Sequence, residues 1–335
     1  MKRMPYTVRL RLLAVAPVLP MTALISVGTA FASGGGGSHT DPRQDAKPTV
    51  VLVHGAWADA SGWNAVTQRL QAQGYPVVAT ANPLRSLSGD SAYLAARLKA
   101  IQGPIVLVGH SYGGAVITNA ATGNPNVKSL VYVAAFVPDV GEGTLELTAK
   151  YPGSRLTDDP TAPIPTALNA VPLGGGPTDV DLYIKPEKYS DVFLSNRLNK
   201  TTAGVLAVSQ RPAAPVTGSE PTKTAAWKTI PSWALVAGDD RTIGTDNVRY
   251  MAKRATSHTV EVADAPHGVM LTNPEEVTDI IRQAAGAAAS DAPGLADTGS
   301  SLQSWALAGG SALALSTGVA LVLTTRRFRA RGSRT

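Results

Sequence analysis

The chain has 335 residues, a formal net charge of +6 and no cysteine. The lack of cysteine excludes disulfides, thiolate metal ligands and a cysteine nucleophile. Four basic residues lie in 1–32 and five in 299–335, where acidic residues are absent, so residues 33–298 carry a net charge of −3 and nothing indicates a nucleic-acid partner.

Residues 1–32 have the pattern of a secretory signal peptide. A basic start is followed by a mostly apolar run and by Ala30-Phe31-Ala32, which has the A-x-A form of a cleavage site. An uncleaved membrane anchor is the alternative, because the apolar run is longer than usual. Residues 33–47 begin with a Ser-Gly-Gly-Gly-Gly-Ser stretch and are predicted to be a flexible linker.

Strand-like and helix-like patterns alternate between residues 48 and 287. Apolar runs predict strands at 49–54, 76–80, 104–108, 128–136, 231–237 and 258–263. Helical patterns lie near 61–73, 90–101, 112–122, 245–255 and 274–287. Continuous apolar strands separated by helices are typical of a parallel sheet covered on both faces. We therefore expect an α/β fold with a mostly parallel, six-stranded sheet.

The third predicted strand runs into a Gly-x-Ser-x-Gly sequence at residues 109–113, and a helix-like run follows. On such a sharp strand-to-helix turn a serine is held in strained backbone geometry, with its hydroxyl exposed above the sheet. The glycines are required because side chains there would collide with neighbouring backbone. This pattern predicts that Ser111 is a nucleophile.

A histidine base and an acid are then expected further along the chain. Of the five histidines only His258 and His267 follow Ser111. His258 opens a predicted strand, which would fix its side chain in the sheet. His267 lies on the loop beyond that strand, at the edge where open α/β sheets place their chemistry. His267 is therefore the predicted base.

The acid should follow the preceding strand, where Asp239 and Asp240 are adjacent. Asp240 is preferred because it reaches the loop itself, and Asp239 remains the alternative. Asp139, after the fourth strand, is more consistent with a solvated loop residue.

An oxyanion hole needs two backbone N–H groups aimed at the developing negative charge. The N–H of Tyr112, directly after the nucleophile, is one candidate. The N–H of Ala56, in the His-Gly turn after the first strand, is the other. His54 in that turn is expected to have a structural role.

Together these motifs resemble those of small α/β-hydrolases, the group that includes plant methyl-ester esterases and hydroxynitrile lyases. The resemblance covers residues 48–287 and is carried by the segments 51–57, 109–114, 209–212, 227–233 and 265–268. It implies an α/β-hydrolase domain with a Ser111–His267–Asp240 triad and oxyanion donors at Ala56 and Tyr112. It implies no metal ion or organic cofactor.

Within that group the sequence favours ester hydrolysis over lyase chemistry. Hydroxynitrile lyases have threonine after the first histidine and lysine after the catalytic histidine, where this chain has Gly55 and Gly268. A serine nucleophile also disfavours epoxide hydrolases and dehalogenases, which use aspartate. We expect a serine esterase that cleaves a small hydrophobic ester through an acyl-enzyme. A catalytically inactive surface binding module, or an acyltransferase or lyase with the same triad, is the alternative.

The regular alternation stops at about residues 138–226, which are predicted to form a cap insertion over the pocket. Helices are expected near 186–197 and 201–209. The region contains the aromatic and apolar residues Tyr183, Tyr189, Phe193 and Leu194. They could line the pocket, but packing within the cap's own core is the favoured interpretation. Trp57 is also a candidate for the pocket wall.

The carboxyl end resembles a sortase sorting signal. Residues 288–298 form a linker that leads into the motif Leu295-Ala-Asp-Thr-Gly299, and residues 299–335 hold an apolar run and five arginines. An apolar run of about 19 residues is long enough to span a bilayer core, and arginines favour the cytoplasmic side. We expect membrane insertion, cleavage between Thr298 and Gly299, and attachment to peptidoglycan. The protein would then be secreted and anchored to the cell wall, or be tethered to the membrane by an unprocessed tail.

Overall fold

The computed structural model describes residues 47–176 and 178–290. The predicted signal peptide, the sorting motif with Thr298 and Gly299, and the apolar carboxyl segment all lie outside these residues. Within the described ranges, no helix is both long and apolar enough to cross a membrane.

A six-stranded sheet forms the centre of the fold, with the spatial order β2-β1-β3-β4-β7-β8. All its neighbouring strands pair in parallel. The strands are β1 (Thr49–Val53), β2 (Val77–Thr80), β3 (Ile105–His110), β4 (Val127–Val133), β7 (Ser232–Asp239) and β8 (His258–Pro266). The expected α/β fold with a six-stranded parallel sheet is confirmed.

Helices cover both faces of the sheet. They are α1 (Asn64–Ala72), α2 (Leu87–Lys99), α3 (Tyr112–Ala120), α8 (Thr245–Arg254) and α10 (Pro274–Ser290). Because side chains alternate along a strand, Val51 packs into an apolar layer with α2, α3 and α8, whereas Leu52 packs into the layer with α1 and α10. The two layers hold the sheet rigidly, and its loops carry the candidate site.

The insertion, residues 138–226, contains both helices and a hairpin. Its elements are α4 (Thr144–Thr148), the antiparallel pair β5 (Leu168–Pro172) and β6 (Val180–Ile184), α5 (Pro186–Leu194), α6 (Lys200–Val208) and α7 (Val216–Ser219). Tyr189, Phe193 and Leu194 are buried in a separate apolar cluster with this hairpin. The favoured interpretation of these three residues, as part of the insertion's own core, agrees with this packing.

Helix α5 ends at Leu194, three residues before the predicted end at 197. Ser195 and Asn196 take left-handed backbone conformations, with φ of 46° and 58°, and these stop the helix. One further short helix, α9 (Val269–Thr272), follows β8.

Candidate active site

Ser111 lies on the turn between β3 and α3. Its φ of 54° and ψ of −127° are unusual for a residue with a side chain, and such backbone strain typically costs about 1–3 kcal/mol. The turn is tight because glycines allow backbones to approach one another. A Cβ at Gly113 would lie 2.6 Å from the Val53 carbonyl oxygen, and one at Gly114 would lie 2.3 Å from that of Phe136.

Three buried side chains, those of Ser111, His267 and Asp240, form a continuous hydrogen-bonded chain. His267 Nε2 is 2.8 Å from Ser111 Oγ, and His267 Nδ1 is 2.8 Å from Asp240 Oδ2. The backbone N–H groups of Thr242 and Ile243 donate to Asp240 Oδ1. Because a carboxylate accepts hydrogen bonds, Nδ1 donates to Asp240 and Nε2 is left to accept the serine proton.

The other acidic and histidine candidates have different partners. Asp239 Oδ1 accepts from Arg241 Nε at 2.9 Å, and Asp139 pairs with Lys228 at 2.5 Å. His258 is exposed and stacks on Trp233, with ring centroids 5.0 Å apart. The structure therefore brings Asp240 to His267, and not Asp239 or Asp139.

The two predicted oxyanion donors border the same cavity as Ser111. Tyr112 is the first residue of α3, so its N–H has no acceptor within the helix and lies at the positive end of the helix dipole. The turn that carries Ala56 is fixed from both sides: the Trp57 N–H donates to the Arg211 carbonyl at 3.1 Å, and His54 accepts from the Asn82 N–H at 2.9 Å. These bonds agree with the structural role expected for His54.

His110 was not identified from the sequence as part of the site. Its Nε2–H donates to the backbone carbonyl of His267 at 2.9 Å, and the two rings lie 4.7 Å apart. Burial lowers the pKa of His110 well below its ordinary value of 6.5, so this ring is neutral. A histidine directly before a predicted nucleophile, on a fully apolar strand, is the only signal that the sequence offers.

A cavity of about 140 Å³ opens beside Ser111, between the sheet and the insertion. Apolar side chains and hydroxyl groups dominate its wall, and none of the described residues that line it carries a charge. The apolar part includes Trp57, Phe136, Leu145, Leu156, Ile164 and Leu182. The proposed position of Trp57 in the wall is therefore confirmed, and its Nε1–H donates to the Leu182 carbonyl at 3.0 Å.

The pocket candidates of the insertion occupy other places. Tyr183 is half-buried on β6, and Leu194 packs against Gly268. Tyr189 and Phe193 border a smaller cavity of about 30 Å³ on another side of Trp57. In the described part of the chain, no group of three or more histidine and carboxylate side chains is placed to hold a metal ion.

Two curated proteins illustrate the sequence similarity. A carbendazim hydrolyzing esterase of Nocardioides is 34% identical in an alignment of 113 residues that covers 30% of this chain and 47% of the esterase. The matched region thus spans less than half of that relative. An α/β hydrolase of Aspergillus novofumigatus, nvfD, is 29% identical in an alignment of 263 residues that covers 72% of this chain and 98% of the hydrolase.

Solved structures share the fold at lower identity. Polyneuridine aldehyde esterase superposes with a TM-score of 0.58 at 17% identity, over 71% of this chain and 98% of the esterase. A pyrethroid hydrolase from Sphingobium faniae superposes with a TM-score of 0.56 at 22% identity, over 72% of this chain and 99% of the hydrolase. At these identities the likeness establishes the fold alone.

The family assignment comes from a match between most of the sequence and a family model. The model of the alpha/beta hydrolase family matches residues 50–280. This range includes Ser111, Asp240, His267 and the six-stranded sheet apart from Thr49, the first residue of β1. The chain belongs to the α/β-hydrolase family.

Proposed function

We propose that this protein is a serine hydrolase that cleaves carboxylic esters. The observation that carries the proposal is the unbroken hydrogen-bond chain from Ser111 through His267 to Asp240 at the wall of a cavity. In this arrangement Ser111 is the nucleophile, His267 the general base and Asp240 the residue that orients the imidazole. The esterase name of a 34% identical relative supports the same reaction class.

The reaction proceeds in two acyl-transfer steps. Ser111 Oγ attacks the ester carbonyl while His267 Nε2 takes its proton, and Asp240 stabilises the resulting imidazolium. The N–H groups of Ala56 and Tyr112 hold the tetrahedral oxyanion, an interaction worth about 2.7–4 kcal/mol per donor. Collapse breaks the bond to the alcohol, which receives the proton from His267. Water then attacks the acyl-enzyme in the same way and releases the acid.

The cavity wall supports a small, uncharged and mainly apolar ester as the substrate. A charged acyl or alcohol group would lose its hydration there without gaining a charged partner, and an unpaired buried charge is strongly disfavoured. Thr144, Thr148 and Thr217 supply hydroxyl groups in the wall. They can accommodate a neutral polar atom of the substrate.

Steric crowding supports hydrolysis over lyase chemistry. A Cβ at Gly55 would lie 2.5 Å from Ser111 Cβ, so the threonine of the lyases does not fit at this position without a backbone shift. A Cβ at Gly268 would lie 3.1 Å from Leu194 Cδ2, which leaves little space for a lysine. The two side chains that handle cyanohydrins therefore have neither a counterpart nor ready space here.

The test of the reaction is the Ser111→Ala variant, assayed with short p-nitrophenyl esters and a fluorophosphonate probe. We expect the wild type to turn over the esters and to be labelled at Ser111, and the variant to lose both properties. Ser232→Ala is the matched control, because Ser232 is a buried serine at the start of β7, the opposite end of that strand from Asp240. An unlabelled wild-type protein would support an inactive binding module, and ester transfer to an added alcohol would support an acyltransferase.

We also propose that the protein is secreted and attached to the cell wall by a sortase. The support is the sequence of both ends: the signal-like residues 1–32, and the Leu295–Gly299 motif followed by an apolar run and arginines. Mass spectrometry of wall fragments tests this proposal, and we expect a mature chain that ends at Thr298 joined to peptidoglycan. A chain that keeps Gly299 and the arginines would instead be a membrane-anchored protein.

A further inference from the structure

The carboxyl end of α5 contacts both loops that carry the partners of Ser111. The Val192 carbonyl accepts from Thr242 Oγ1 at 2.9 Å, on the loop after β7. The Phe193 carbonyl accepts from the Gly268 N–H at 3.0 Å, on the loop after β8. Consecutive residues of one helix thus bind the acid loop and the histidine loop.

The helix end makes these carbonyls available. The last four carbonyl groups of a helix receive no hydrogen bond from an N–H group of the same helix. Val192 and Phe193 lie in this last turn of α5. Ser195 follows in a left-handed conformation and donates from Oγ to the Asp239 carbonyl at 2.6 Å. This third bond connects the helix to the residue just before Asp240.

Side-chain packing strengthens the contact with the histidine loop. The Phe193 ring is fully buried and lies edge-on to the His267 ring, with centroids 5.1 Å apart and an interplanar angle of 82°. At Gly268 an added Cβ would be 3.3 Å from the same phenyl ring. The imidazole is therefore held against α5 as well as against Asp240.

Ion pairs continue the same connection at the surface. Asp191 Oδ1 lies 2.6 Å from Arg241 Nη1, and Arg241 Nε lies 2.9 Å from Asp239 Oδ1. Since partly exposed ion pairs contribute little to stability, they add less than the hydrogen bonds described above. The buried bond of Thr242 and the partly buried bond of Ser195 are the ones that fix the geometry.

We infer that the last turn of α5 holds the catalytic groups in position. The main positioning residue is Thr242, which connects the loop after β7 to this turn. Thr242 uses both its polar ends: its N–H donates to Asp240 Oδ1 at 2.9 Å and its hydroxyl donates to the Val192 carbonyl. The acid loop and the histidine loop are thereby held at a fixed separation by the insertion. The inference rests on the proposed function, because it assigns a role in that same site.

The experiment compares Thr242→Val with Thr242→Ser. Valine keeps the shape of threonine in the cavity wall but removes the hydroxyl, whereas serine keeps the hydroxyl. We expect Thr242→Val to lower kcat about 10- to 100-fold with KM within about twofold, because misplacement of reacting groups by 1 Å can cost about 10²-fold. Thr242→Ser should retain most of the wild-type kcat. Thr278→Val, which removes a buried hydroxyl on α10, is the control.

A spectroscopic measurement accompanies the kinetics. The proton between His267 Nδ1 and Asp240 gives a downfield NMR resonance, and we expect it to shift or broaden in Thr242→Val but not in Thr242→Ser or Thr278→Val. A Thr242→Val enzyme with wild-type kcat and an unchanged resonance would overturn the inference. So would a raised KM with unchanged kcat, since Thr242 would then be only part of the substrate wall.

Ser195→Ala provides a second variant outside the cavity. It removes the bond to the Asp239 carbonyl, and we expect the same fall in kcat and the same change in the resonance. If Thr242→Val does not fold, the kcat and the downfield resonance of Ser195→Ala decide whether the inference holds. If the wild type cleaves no ester, the proposed function fails, whereas the resonance comparison still shows whether α5 positions His267.

Discussion

Tyr112 combines a backbone group at the cavity with a side chain that points into the core. Its hydroxyl donates to Asp90 Oδ2 at 2.8 Å, and both residues are buried. Burial raises the pKa of Asp90, and the hydrogen bonds from Tyr112 and from the Arg85 N–H oppose that rise. The phenol hydroxyl therefore stabilises a carboxylate that has lost most of its hydration.

Removal of this hydroxyl should destabilise the protein in a pH-dependent way. At pH 7, we expect Tyr112→Phe to lower the free energy of unfolding by about 1–3 kcal/mol, because Asp90 Oδ2 is left buried without a donor. The bond favours the ionised carboxyl, so its contribution is present above the pKa of Asp90 and is lost as the pH falls through it. Urea unfolding at pH 7 and at pH 4 measures both effects. An equal loss at both values would contradict this account.

The individual site residues could be predicted because each directly follows a recognisable strand. Ser111 follows β3, Asp240 follows β7 and His267 follows β8, and parallel strands bring their carboxyl ends to one edge of the sheet. The contact between His110 and the His267 carbonyl was not predictable, because no sequence pattern shows that the side chain at the end of β3 reaches the loop after β8. The roles of Phe193 and Thr242 likewise depend on where the insertion packs.

The turn between β3 and α3 leaves no room for an added side chain at its glycines. A Cβ at Gly113 would meet the carbonyl oxygens of Val53 and His54 at 2.6 and 3.0 Å. Both are backbone atoms next to β1, a strand fully paired in the sheet, so neither can move away easily. The backbone of the turn between β3 and α3 thus packs directly against the backbone at the end of β1.

We expect Gly113→Ala to lower the free energy of unfolding by more than about 3 kcal/mol, because the overlap forces the start of α3 away from β1. Gly204→Ala is the matched control: it lies in α6, no atom lies within 4 Å of its added Cβ, and alanine should stabilise the helix by about 0.5–1 kcal/mol. Urea midpoints of the two purified variants make the comparison. A Gly113→Ala midpoint equal to that of the wild type would refute the close-packed description.

Among the elements, the sheet could be predicted more fully than the insertion. The strands β1, β3 and β7 have the continuous apolar runs that burial on both faces requires, whereas β8 does not. The hairpin of β5 and β6 was not predicted: β6 alternates in burial, but four of the five residues in β5 are exposed or half-buried. The residues around the hairpin are rich in proline and glycine, which indicate loops, so the short alternating pattern of β6 did not predict a strand.

At the scale of the whole molecule, the two-layered core followed from composition and pattern. The apolar residues of the strands divide between a layer with α2, α3 and α8 and a layer with α1 and α10. Such a division needs no knowledge of long-range contacts, only the alternation of side chains along each strand. The two ends of the chain lie outside the described residues, and their proposed roles rest on sequence motifs alone.

The position of β8 has a consequence for when the protein acquires its reactivity. Among the described residues, β8 is the last strand, and it lies at an edge of the six-stranded sheet. The imidazole of His267, directly after β8, is 156 residues along the chain from the Ser111 hydroxyl that it contacts. On the proposed function, a polypeptide in which β8 has not yet paired with β7 cannot hydrolyse esters, even when the rest of its sheet has assembled. Ester turnover then reports only molecules in which the final strand has docked, and a turnover assay counts finished proteins rather than partly built ones.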